Sequence, residues 1–237
     1  MDGLISVIGV QFGIIFLSAI VHASLQCELG SLLLLYHASL GKHIKKKTRF
    51  LVSNYILGVA LLVCLMVSTI SFLIATLTES SLSTESLVVV AVVLLMLAVL
   101  IWLFYYKTKR TTELWLPKSV ARHIDKRAKL TESNVEAFSL GMLTAFAEMP
   151  FSFVLMLLAG NSAVLLPFEF QFLSIVGYTF ITILPLLALR FFIRHGRTVV
   201  DVQKWRVKNK NFLKTMSGVL FFTLAVFIIA FRILGAS

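Results

Sequence analysis

Six stretches of this chain, Gly3–Cys27, Phe50–Leu77, Leu87–Tyr106, Ala137–Gly160, Phe170–Leu189 and Thr215–Phe231, contain no charged residue except Glu148. Each is long enough for a helix that crosses hydrocarbon, which takes roughly 17–25 residues. No soluble core of this size needs so many uninterrupted apolar runs. Hydrophobic residues make up 59% of the sequence and charged ones 14%, against about 45–50% and about 25% in soluble domains. The reading is an all-α integral membrane protein with six transmembrane helices in a single membrane domain, 1–237.

The net charge of +11 would point to nucleic acid in a soluble protein. Its placement gives another meaning. All of the 22 Lys and Arg except Arg232 fall in three segments, Lys42–Arg49, Lys107–Glu136 and Arg190–Lys214. Between these lie the acidic connectors Thr78–Ser86 and Asn161–Glu169. The alternation is that of a chain weaving through a bilayer, and the positive-inside rule makes the basic loops cytoplasmic and places both termini outside. The expected setting is the plasma membrane, with the lipid bilayer as partner and no nucleic acid.

Two apolar stretches are interrupted. After Gly3–Cys27 a second apolar run, Leu29–Leu40, precedes the basic loop, and the segment between them gathers His22, Ser24, Gln26, Cys27, Glu28 and Gly30. Non-helical backbone at membrane depth is tolerated only inside protein or beside a wet cavity. The first helix is therefore either broken, or it ends near His22 and is followed by an interfacial segment. In the fourth stretch Glu148 precedes Pro150. Proline removes a helix hydrogen bond, which predicts a second broken helix, and an ionisable group there marks an ion or substrate path. Each half then has an interrupted helix, a helix containing Tyr55 or Tyr178, and a plain apolar helix. Three crossings per half forces the second half, 137–237, to be inverted relative to the first, 1–106. Inverted repeats with paired broken helices are a transporter architecture.

In the connecting segment 107–136, Pro117 suits a helix start. Val120, Ile124 and Ala128 form an apolar line opposite Lys118, Arg122, Lys126 and Lys129, the pattern of a helix lying on an anionic leaflet. Ser133-Asn-Val-Glu136 reads as a capping box for the fourth crossing. Cys27 and Cys64 are too few for a disulfide scaffold. No phosphate loop, nucleophile elbow or H-E-x-x-H motif is present, and no cofactor is expected.

The run Phe138–Phe231 resembles the second half of the lysine-exporter superfamily, through Ser139-Leu-Gly141, Ala147-Glu-Met-Pro150, Tyr178-Thr-Phe-Ile-Thr-Ile-Leu-Pro-Leu-Leu187 and Met216-Ser-Gly218. It is most similar to the CcdA/DsbD-like and glycolipid-addressing branches. Gln26-Cys27 and Tyr55-Ile-Leu-Gly58 carry a weaker likeness in the first half. The resemblance implies an exporter-type secondary carrier of a small cationic or zwitterionic solute, proton-coupled. Glu148 would bind the cation or proton, Pro150 would hold the helix open, and Gln26, Cys27, Glu28 and His22 would line the opposite half of the site. Cys27 and His22 also offer soft ligands for a metal such as Zn²⁺ or Cd²⁺, without a closely spaced ligand motif. The CcdA branch implies an alternative, a thiol–disulfide electron carrier with one cysteine in each broken helix. Cys27 matches that pattern, but Phe151 stands where the second cysteine would be, which leaves Cys64 as the other thiol. A third reading is a non-transporting scaffold or accessory subunit, associating with a second copy or with a membrane partner protein.

Overall fold

In the computed structural model each of the six membrane-length apolar stretches is helical over its described residues. Residues 2–25, 35, 45–78, 81–104, 118–194 and 199–235 are described. The helices are α1 (Asp2–Leu25), α2 (Lys45–Leu77), α3 (Thr84–Phe104), α4 (Lys118–Leu130), α5 (Asn134–Val164), α6 (Phe168–Arg194), α7 (Val199–Lys208) and α8 (Lys210–Ile228). A π-helical turn, Ile229–Ile233, ends α8. Among the described residues six helices are long and apolar enough to cross a membrane: α1, α2, α3, α5, α6, and α8 with its π turn. The chain is a multi-pass membrane protein.

The ends of the elements follow from local chemistry. Helix α5 opens on the expected capping box: Ser133 Oγ accepts from the Glu136 amide, and Glu136 Oε2 accepts from the Ser133 amide at 3.2 Å. At its other end α5 outruns the apolar stretch, so the acidic connector begins later than the sequence implies. Buried Asn161 lies within the helix, where its Oδ1 accepts from the Leu82 amide at 2.8 Å and ties the α2–α3 connector to α5. Helix α6 likewise continues to Arg194, and α7 forms inside the segment 190–214, which the hydropathy pattern marks only as a loop.

Two sequence expectations change. Helix α5 is not broken at Pro150 but runs as one helix of 31 residues with the proline inside it. Proline leaves the Phe146 carbonyl without its ladder partner, yet surrendering further bonds in a water-poor setting costs more than one gap, so membrane helices accommodate proline. Helix α1 runs through His22 to Leu25, and the rest of the expected interruption, within residues 26–34, lies outside the described residues. Helix α4 forms on its apolar line as the spacing predicts, but the line faces protein. Ile124 and Ala128 are buried in the larger core, with Val120 packed against it.

Helices α1 and α5 stand at the centre. One apolar core joins residues of α1, α2, α4, α5 and α6, among them Ile15, Val59, Val63, Met156 and Leu186. A second joins α1, α3, α5 and α8 through Ile14, Leu94, Leu155, Leu158, Phe221 and Leu224. The outer faces are apolar too: Leu57, Leu61 and Leu65 on α2, Val89, Val92 and Met96 on α3, and Phe168, Phe172 and Phe180 on α6 are exposed. Exposed apolar faces on this scale are ruinous in water and ordinary against lipid tails.

Since lipid offers helices no hydrophobic reason to associate, close packing through small residues takes over. A Cβ on Gly58 would land on the Phe138 carbonyl, and one on Gly141 on the Tyr55 carbonyl. Each glycine sits against the residues three before and one after the other, so α2 and α5 form a mutual backbone clasp. Helices α3 and α8 meet where the Trp102 indole covers Gly218 and stacks on Phe222, with centroids 6.5 Å apart.

Candidate functional site

Three helices turn polar faces towards the protein interior. On α1, Gln11, Ser18 and His22 share one face by helical spacing, and all three are buried. On α5 the face carries Thr144, Glu148, Ser152 and Ser162; on α6 it carries Ser174, Tyr178 and Thr182, again all buried. The helices touch pairwise, α1 with α5, α1 with α6, and α5 with α6. Three mutually touching helices thus each carry a row of buried polar side chains, together termed the seam.

One link across it is the hydrogen bond between His22 Nδ1 and the Tyr178 hydroxyl, 2.9 Å long and buried. His22 is 3% exposed. It is thus no water-facing histidine at a helix end, although it lies in the last turn of α1. Several hydroxyls satisfy themselves on their own helices: Thr144 donates to the Leu140 carbonyl at 2.8 Å, Ser152 to that of Glu148 at 3.3 Å, and Thr182 to that of Tyr178 at 2.9 Å. Others do not. Among the described residues, Gln11 Oε1, Ser18 Oγ and Ser162 Oγ are buried and find no hydrogen-bond partner. Leaving a polar atom so costs about 1–3 kcal/mol, and such groups in native interiors ordinarily bind water or a ligand.

Among the described residues Glu148 is the one acidic residue in the middle of a crossing, 3% exposed and near the midpoint of α5. It engages its surroundings, so the structure gives it a setting and not merely a location. Pro150, two residues on, is exposed on the far side of the same helix, so it shapes α5 without lining the seam. No known family model, curated protein or solved structure matches this chain.

Of the remaining sequence candidates, Gln26, Cys27 and Glu28 lie outside the described residues. Cys64 is a free, half-buried thiol on α2. Among the described residues no three His, Cys, Asp or Glu side chains gather into a metal site. Sequence reasoning passed over Gln11, Ser18, Ser152, Ser162, Ser174 and Thr182, and it used Tyr178 only as a motif residue. Their spacing held the signal: polar residues at 11, 18 and 22, at 144, 148 and 152, and at 174, 178 and 182 repeat on one face of otherwise apolar helices.

Proposed function

We propose that this protein is an exporter-type secondary carrier of a small cationic or zwitterionic solute, coupled to protons, whose path is the seam between α1, α5 and α6. The observation that carries this reading is Glu148, almost fully buried halfway along an apolar crossing helix and flanked by a polar face. An ionisable group at that depth costs a few kcal/mol or more unless it works on an ion or a proton. A carboxylate suits an ammonium or a proton, and the His22–Tyr178 hydrogen bond holds α1 against α6 in the same seam. The unpartnered Gln11, Ser18 and Ser162 atoms are polar sites that a passing hydrated solute would satisfy.

The architecture is read as two inverted three-helix halves, 1–106 and 137–237. In its favour, pairing α1 with α5, α2 with α6 and α3 with α8 joins helices that touch, and it converts the α2–α5 contact into the α1–α6 contact and the α1–α8 contact into the α3–α5 contact. Tyr55 and Tyr178, both fully buried, then stand at matching places. The basic loops are assigned to the cytoplasm and the termini to the outside by the positive-inside rule. The lysine-exporter resemblance gives the direction, outward.

Efflux from proteoliposomes tests the reading. Protein loaded against radiolabelled lysine and other cationic and zwitterionic amino acids under an imposed proton gradient should release at least one of them. Glu148→Gln should slow that release by at least about tenfold, roughly 1.4 kcal/mol in the barrier. Release unchanged in the variant removes Glu148 from the mechanism.

A further inference from the structure

Away from the seam, a cavity of about 330 Å³ opens between α4 and the first turns of α5, lined by His123, Arg127, Leu130, Thr131, Glu136, Ser139, Leu140 and Leu143. That volume falls within the range of ligand pockets. Its walls are sorted by chemistry. His123 and Arg127 project from α4, four residues apart and so on one flank. Leu140 and Leu143 belong to α5 where it enters its apolar span. A site cationic on one side and apolar on the other, at the edge of the membrane, has the pattern of a phospholipid's phosphate and upper acyl chain.

The site is held in place. Ile124 and Ala128 anchor α4 in the core, so the Arg127 flank is fixed against α5. Nor is it a bare helix N-terminus, since the Ser133 hydroxyl already accepts from the Glu136 amide and Glu136 Oε2 accepts from the Glu132 and Ser133 amides at 2.8 and 3.2 Å. What remains for a ligand is a guanidinium and a carboxylate facing one cavity. Opposite charges around one open cavity match a ligand that carries both. Among common headgroups ethanolamine fits: its ammonium donates hydrogen bonds to a carboxylate, a choline nitrogen has no N–H to give, and a glycerol headgroup has no cation.

We propose that this pocket holds the headgroup of one ethanolamine phospholipid, its phosphate on Arg127 and His123, its ammonium on Glu136, and its acyl chains leaving along Leu140 and Leu143. The site is independent of the carrier reading.

Native mass spectrometry of the full chain, released from bilayers of equal phosphatidylethanolamine, phosphatidylglycerol and phosphatidylcholine, tests it. One ethanolamine lipid should be retained with roughly tenfold enrichment, the weight of one charge-assisted hydrogen bond. Glu136→Gln keeps the cap, because glutamine serves at that position, and should abolish the preference while leaving lipid bound. Arg127→Gln should lose all three adducts, and Arg127→Lys, which keeps the charge, should retain a weaker one. Equal retention of the three lipids, preference for phosphatidylglycerol, or an undiminished preference in Glu136→Gln each overturns the proposal. So does an Arg127→Gln protein that binds as the wild type does.

Discussion

At Tyr178 a single hydroxyl joins two helices by bonding His22 across the seam. Removing it in Tyr178→Phe leaves a buried ring nitrogen without its partner and should cost about 1–3 kcal/mol, read as a lowered thermal midpoint in detergent. An unchanged midpoint would mean that the nitrogen finds water or another donor. Glu148→Gln is a different case. Glutamine has nearly the same shape, so the fold should survive while proton and cation exchange are lost. The pair separates a residue that holds the seam together from one that works in it. Glu148 was legible in the sequence, because one carboxylate in a run of apolar residues is conspicuous. Ser18 and Gln11 were not: small polar side chains are common in membrane helices, and only burial on the same face as His22 distinguishes them.

At the scale of the helix, the glycines divide sharply. Gly58→Ala and Gly141→Ala put a methyl group onto the backbone of the facing helix, and each should destabilise by roughly 1–3 kcal/mol or more as an overpacked contact. Gly9→Ala and Gly177→Ala meet nothing within 4 Å and should stabilise by about 0.5–1 kcal/mol, the helix penalty of glycine. Thermal unfolding of the four variants reads the sign directly. The crossings, the capping box and α4 could be read from the sequence because length, Ser133, Glu136 and a three-residue apolar line are local signals. The continuity of α5 through Pro150 could not, since whether a proline breaks a helix depends on what surrounds the freed carbonyl. The destination of the α4 apolar line was equally hidden. Lipid and protein both accept Ile124 and Ala128, and only the fold decides between them.

For the whole molecule, charge placement predicts the orientation of the chain, and two exposed sites test it. Ser119→Cys on α4 and Ser83→Cys between α2 and α3 lie on opposite sides in this topology. With Cys27 and Cys64 replaced by alanine, an impermeant thiol reagent added to intact cells should label Ser83→Cys alone, and the reverse result would invert the orientation. The central claim, that the seam between α1, α5 and α6 is a hydrated path and not a dry polar contact, is tested most directly by Ser18→Cys in the same background. Ser18 is fully buried with an unpartnered hydroxyl, while Phe16 on the same helix is exposed at 53% towards the lipid side. Thiols react as thiolates, which form in water and not in hydrocarbon. A hydrophilic thiol reagent should label Ser18→Cys and leave Phe16→Cys unlabelled; a Ser18→Cys that stays unreactive from both sides of the membrane contradicts a hydrated path.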